Sequence, residues 1–243
     1  MEVYVGTSGW MYDWNLGGDF KWYIENSNLN SVELNASFYR FPFRSQVALW
    51  SRLTRRGFRW SIKVNKFITH VYRFSEKAYN VWDRFYNLFK PLDDHIDFYL
   101  FQLPPQVLPI DKYVRRIESF ISKANLNWRF AIEFRNLKWF SDEWIDWCRK
   151  LNVTMASIDS PEILEAIFNT NGILYLRLHG RGLTWYSYNY SIEEIENIAS
   201  KITALNPHKA YIYFNNNHNM LHNAQEMFKV MLRTTKPQEK DLT

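Results

Sequence analysis

Cysteine is almost missing from this 243-residue chain: Cys148 stands alone, so no internal disulfide and no disulfide scaffold can form. Glycine and proline are sparse, with eight of each, which excludes collagen-like and Pro/Gly-rich disordered compositions. No apolar run approaches the roughly 20 residues that a transmembrane helix needs, and no Gly/Ser-rich linker divides the chain. The opening residues, MEVYVGTSGW, carry neither the basic nor the apolar region of a secretory signal. The expectation is a cytoplasmic protein without membrane contact. What remains is ordinary globular material, 47% apolar and 23% charged, enough to build a sizeable core.

Charge of one sign is in slight excess. Thirty Lys and Arg against 25 Asp and Glu give +5, which favours a phosphate-bearing or otherwise anionic partner without naming it. Aromatic residues make up 18% of the chain, and most belong in the core because each ring buries a large apolar area.

Apolar runs alternate with amphipathic stretches from end to end. Eight strands are predicted, over Val3–Ser8, Ser31–Ser37, Phe58–Asn65, Ile96–Gln102, Arg129–Arg135, Val153–Asp159, Ile173–His179 and Lys209–Asn215. Their starts lie 20 to 38 residues apart, about one strand plus a return helix, so neighbouring strands should be parallel. Return helices are predicted over Ser75–Phe89 and Lys112–Lys123, and others open at the capping signals Ser141-Asp142-Glu143 and Ser191-Ile192-Glu193-Glu194. Ser160–Phe168 is too short for a full return helix. The fold class expected is α/β, a single-domain TIM-type (β/α)8 barrel over residues 1–233 with a polar C-terminal tail over 234–243.

Side chains alternate faces along a strand. In the second strand Val32 and Leu34 oppose Glu33, Asn35 and Ser37; in the fifth Phe130, Ile132 and Phe134 oppose Ala131, Glu133 and Arg135. Ser61, Lys63 and Asn65, then Tyr175, Arg177 and His179, repeat the pattern, and Gln102, Asp159 and Asn215 end their strands. These polar residues fall in the C-terminal halves of the strands, where such barrels build their sites. Unpaired charges in an apolar interior would cost several kcal/mol or so each, so they must pair with one another, meet water or bind a ligand. Glu33, Glu133, Asp159 and His179 are assigned to proton transfer. Lys63, Arg135 and Arg177 are assigned to anchoring an anionic group. The loops after strands seven and eight, with Gly180, Asn215 and Asn216, suit an anion approached by backbone amides.

No cofactor is predicted, but Glu33, Glu133, Asp159, His179 and His70 are residue types that admit a divalent metal ion. Arg135 and Arg177 in the same mouth would oppose it. A closed ion-pair network capping the barrel is the bland alternative. A second functional class, nucleic-acid binding, rests on the basic segment Arg52 to Arg73. Cys148 reads as a buried helix residue, and His95 and His208 as residues of the far rim.

At these strand ends the chain resembles the domain of unknown function 72, or YecE-like, family. The strings are Val5-Gly6-Thr7-Ser8-Gly9-Trp10, Ser31-Val32-Glu33-Leu34-Asn35-Ala36-Ser37-Phe38-Tyr39, Lys63 with Ile68-Thr69-His70, Phe101-Gln102-Leu103-Pro104-Pro105, Glu133-Phe134-Arg135, Asp159-Ser160-Pro161, Tyr175-Leu176-Arg177-Leu178-His179-Gly180 and Tyr213-Phe214-Asn215-Asn216. The resemblance implies a TIM-type barrel with these strings at its mouth, and the full substrate-binding set expected is Asn35, Tyr39, Lys63, His70, Gln102, Arg135, Arg177, Gly180, Asn215 and Asn216. The barrel it implies is similar to the xylose-isomerase and endonuclease IV type, which suggests metal-assisted chemistry on sugars or abasic nucleic acid by analogy of fold. Asn136 and Asn217 depart from the family pattern, which has His and Asp there. The function expected is an enzyme, a hydrolase or isomerase, acting on a small anionic or sugar-like substrate. The alternative is a protein that binds or processes nucleic acid; the oligomeric state is left open.

Overall fold

Eight parallel strands follow one another around a barrel: β1 (Glu2–Thr7), β2 (Ser31–Leu34), β3 (Arg59–Lys63), β4 (Ile96–Gln102), β5 (Phe130–Glu133), β6 (Thr154–Asp159), β7 (Ile173–Leu178) and β8 (Lys209–Phe214). The structure is a computed structural model and describes residues 1–163 and 166–235. Between and after the strands run α1 (Phe20–Asn26), α2 (Arg44–Leu53), α3 (Lys77–Phe89), α4 (Asp111–Ala124), α5 (Asp142–Lys150), α6 (Ile192–Ala204) and α7 (Met220–Thr235). The expected barrel is therefore present. The tail expected from residue 234 onward lies outside the described residues except for Thr234 and Thr235, which end α7. No helix among the described residues is long and apolar enough to cross a membrane.

β4 and β6 end where expected, at Gln102 and Asp159, whereas β2 and β5 stop short because they leave the ladder at or just past their glutamates and bend into short 3-10 turns at 36–38 and 137–139. Between β6 and β7 no helix forms among the described residues. Instead the chain doubles back on β6, and Ile158 and Ala166 exchange backbone hydrogen bonds of 2.9 and 3.0 Å. At the start of α6, Ser191 and Glu194 close the expected capping box. Ser141 precedes α5 without making a side-chain cap. Cys148 is buried in α5.

Register sorts the side chains into two cores. Leu, Ile, Phe and Trp from one parity, Val32, Ile62, Phe101, Ile132 and Leu176 among them, face the helices. The other parity fills the barrel with Phe98, Leu100, Ala131, Ala156, Tyr175, Tyr211 and Tyr213. Burial of such rings supplies most of the driving force, and the tyrosine hydroxyls each find a partner. Tyr211 donates to Asp97 at 2.5 Å, Tyr213 bonds Ser31 at 2.8 Å and Tyr175 bonds Ser61 at 2.6 Å. Asp97 reaches inward because a bulge opposite Trp60 and Ser61 adds a residue to β4.

The ladder is continuous from β2 round to β1, and the β1–β2 seam is closed differently. The Asn30 amide accepts from Val5 N–H at 2.9 Å and donates to Val3 C=O at 2.8 Å. The buried Tyr23 hydroxyl contacts Thr7 N–H at 3.2 Å and donates to Ser31 C=O at 3.0 Å. Gly6 permits this approach, since a Cβ there would lie 2.4 Å from Ser31 O. Tyr23→Phe would leave buried backbone groups unsatisfied. It should lower the unfolding free energy by about 1–3 kcal/mol, measured by denaturant titration; an unchanged midpoint would show that the seam does not depend on the hydroxyl.

Candidate active site at the barrel mouth

Arg177, on β7, is the centre of the mouth. Its Nε and Nη2 fork onto Glu33 Oε2 and Oε1 at 2.9 and 2.7 Å, and its Nη1 donates to Glu133 Oε2 at 2.5 Å. Glu33 also accepts from Ser8 Oγ and the Tyr175 hydroxyl, both at 2.6 Å, so donors fill all four of its lone-pair positions. Glu133 also accepts from Gln102 Nε2 at 2.6 Å and from Arg135 Nε. Glu33, Glu133 and Arg177 are wholly buried. Burial alone would raise the proton affinity of Glu133, but Arg135 and Arg177 outweigh it and hold the carboxyl well below the usual range.

His179 continues the network. Its Nε2 lies 3.3 Å from Arg135 Nη2 and its Nδ1 3.1 Å from the Asn215 amide. Burial, followed by the charges of Arg177 and Arg135, pushes its pKa well below the usual histidine range, so the imidazole is neutral. Arg135 Nη2 can only donate, so a neutral ring accepts from it at Nε2 and carries its own proton on Nδ1, the nitrogen that Asn215 Nδ2 approaches.

Lys63 ends β3 and is only 8% exposed. Its Nζ lies 4.4 Å from the centroid of the Phe38 ring and has no hydrogen-bond partner among the described residues. Burial first, then the charge of Arg177, brings its pKa down to about 7, against the opposing pull of Glu133 and Glu33. His70 packs edge-on against the same Phe38 ring at 4.9 Å. It sits on a π turn closed by Tyr72 N–H to Phe67 C=O at 2.8 Å, a geometry common at functional sites. Burial, followed by Lys63 and Arg135, pushes His70 down to about 4.

The loop between β7 and α6 roofs this floor. Trp185 stacks over the Arg135 guanidinium at 4.7 Å and lies 5.4 Å from the His179 ring, with Tyr186 at 5.6 Å from that ring. Tyr186 takes a left-handed backbone, φ 71°, and its N–H donates to His179 C=O at 3.0 Å. Beneath the roof lies a cleft of about 230 Å³ lined by His70, Gln102, Arg135, Glu162, Trp185 and Tyr186. A second cleft of about 210 Å³ is lined by Ser8, Trp10, Tyr12 and Asn35. Tyr39 stands exposed on the rim, and burial together with the neighbouring Tyr186 and Tyr39 raises the Tyr12 hydroxyl.

Three expected site residues do other work. Asp159 shares the helix-facing parity of β6, since Ile158 is the residue in register with Arg177. Its carboxylate accepts from Arg181 Nε and the Tyr190 hydroxyl, both at 2.8 Å, away from the Arg177 network. Gly180 does not offer its amide to an anion: the N–H donates to the Tyr190 hydroxyl at 2.9 Å. Its φ of 93° and the Tyr188 Cβ, 2.4 Å from where a Cβ would stand, explain the glycine. Asn216 donates to Tyr188 C=O and Asn223 Oδ1, pinning the roof loop to α7.

The family model described as protein of unknown function DUF72 matches residues 4–242. The chain belongs to the DUF72 family. This DUF72 chain is 25% identical to a DUF72 family protein of Thermotoga maritima, with a TM-score of 0.83 over 96% of this chain and 100% of that one. It is 19% identical to a DUF72 family protein of Enterococcus faecalis, with a TM-score of 0.81 over 95% of each chain. A D-psicose 3-epimerase of Clostridium cellulolyticum, solved with D-tagatose, shares the fold at a TM-score of 0.60 and 14% identity, over 98% of this chain and 100% of that one. No curated protein matches the chain in sequence.

Against the metal chemistry that such barrels suggest, the DUF72 mouth offers a poor donor set. A guanidinium already lies between the two carboxylates, and no group of three or more ligating side chains gathers among the described residues. Asn136 caps the turn after β5, accepting from Lys138 N–H at 3.0 Å. The basic segment Arg52–Arg73 does not form one surface. Arg52, Arg55, Arg56 and Arg59 lie at or before the start of β3, at the far end of the barrel, whereas Lys63, Lys66 and Arg73 follow at the mouth.

Sequence reasoning missed Ser8 and Tyr175 as carboxylate donors, Phe38 as the shelf under Lys63, Arg181 as the partner of Asp159, and the roof pair Trp185 and Tyr186. The length and aromatic content of the loop before Ser191 were the available signal for the last.

Proposed function

We propose that this mouth is the active site of an isomerase-type enzyme whose substrate is a small, polar, sugar-like molecule bearing phosphate or carboxylate. The observation that carries this reading is Lys63, nearly buried and with no hydrogen-bond partner among the described residues, on the same Phe38 ring as His70, which lines a cleft together with Arg135. With Asp159 and Arg181 paired elsewhere, two carboxylates face Arg177, Arg135 and Lys63, so the mouth carries one net positive charge while Lys63 is protonated and none once it has released its proton. Glu33 and Glu133 neutralise and orient the arginines. Hydrolysis through a carboxylate pair is disfavoured, because Arg177 occupies both. A proton shift needs one group that titrates near neutrality, and Lys63 is such a group. The likeness to the epimerase supports the fold and adds a sugar as a reasonable guest.

Isothermal calorimetry with a panel of sugar phosphates and sugar acids tests the reading. Wild-type protein should bind a member of the panel, and Arg135→Gln should weaken it about tenfold or more. Absence of binding, or an affinity indifferent to Arg135→Gln, would remove the proposal. Tight binding of single-stranded DNA instead, falling steeply with salt, would favour the nucleic-acid alternative.

A further inference from the structure

We infer that Lys63 is a nucleophilic amine that forms a Schiff base with a small anionic aldehyde or ketone, His70 relaying the protons. This rests on the mouth being the active site and narrows its substrates to carbonyl compounds. Three observations combine. The carboxylates that could hold a lysine ammonium, Glu33 and Glu133, are taken up by Arg177, Arg135, Ser8, Tyr175 and Gln102, so among the described residues no hydrogen bond fixes Nζ as a donor. Nζ lies over the face of the Phe38 ring, 4.4 Å from its centroid, a weaker hold on an ammonium than a carboxylate would give. His70 rests on the same ring and lines the cleft, and Thr69 Oγ1 engages its Nδ1 at 2.8 Å, which leaves Nε2 for proton exchange. The lowered proton affinity of Lys63 agrees with this arrangement.

The chemistry balances without an added oxidant or metal. The Nζ lone pair adds to the carbonyl carbon, the C=O π electrons move to oxygen, and a proton passes from nitrogen to that oxygen through His70. The carbinolamine then expels the oxygen as water, with a second proton from nitrogen, and C=N replaces C=O. Arg135 holds the anionic end of the guest.

The test incubates the full chain at pH 7 with dihydroxyacetone phosphate or glyoxylate and sodium cyanoborohydride, which delivers hydride to the imine carbon, and maps the adducts by peptide mass spectrometry. Lys63 should be modified about tenfold or more faster than the exposed Lys21, Lys112 and Lys229. Lys63→Arg keeps the charge and should abolish the fast phase, and His70→Gln should slow modification at Lys63. Modification of Lys63 no faster than that of the exposed lysines overturns the inference. If calorimetry still shows Arg135-dependent binding, the reading of the mouth survives that failure; if binding is also lost, both fall.

Discussion

Arg177→Met should lower the unfolding free energy by about 3–5 kcal/mol at neutral pH, because it strands two wholly buried carboxylates without their shared cation. The pair of glutamates would then repel each other in a medium of low dielectric, and Arg135 alone could answer only Glu133. Denaturant titration measures the loss. The pH dependence has a definite sign. The pKa of Glu133 is lower in the folded protein than the ordinary 4.5, so its stabilising contribution is complete above that value and disappears as pH falls below it. In Arg177→Met, burial and mutual repulsion raise the proton affinity of the stranded glutamates, so the gap to wild type should begin to narrow above about pH 4.5 and continue to close in acid. A variant as stable as the parent would show that water reaches the floor and screens it.

Lys63→Met should stabilise the protein by several kcal/mol at pH 6 to 7. The folded pKa of about 7 lies below the ordinary 10.5, so folding must either desolvate a cation or release its proton. The penalty is full below pH 7, fades as pH rises from 7 to 10.5, and is gone above that. The gap between 10.5 and about 7 corresponds to about 5 kcal/mol at the acidic end. Chemical denaturation at pH 6, 8 and 10 should show wild type catching up with the variant as pH rises. A difference that stays constant with pH would mean that water solvates Lys63 and that its ammonium incurs no penalty on folding. A nearly buried lysine retained at such expense is the kind of local conflict that natural proteins keep at functional positions.

Much of this architecture was legible from periodicity. Strands with Glu33, Glu133 and Arg177 on one face and Val32, Ile132 and Leu176 on the other declare their two sides, and the spacing of the runs dictates parallel pairing. The convergence of Glu33, Glu133, Arg177 and His179 follows from that parity. Partner choice was not legible. Whether Arg177 reaches a glutamate three strands away or a substrate depends on register and side-chain length, and no local pattern encodes either. Asp159 shows the limit clearly: standing last in its strand it resembles Gln102, yet one step of register turns it to the other side, toward Arg181. Gly180 misled for a similar reason, because a glycine required by the bulk of Tyr188 looks the same in sequence as one that cradles an anion.

The roof loop is fastened by Asp159, Tyr190, Glu194 and Asn223, groups on the outer side of the barrel, through Arg181, Gly180 and Asn216. The charged floor is fastened from within. The two assemblies meet mainly at His179 and Arg135, so residues 181–189 can be exchanged for other lengths and shapes with little disturbance to the buried charges below. Under the proposed function, the ceiling would choose the guest and the floor would stay the same whatever guest is chosen.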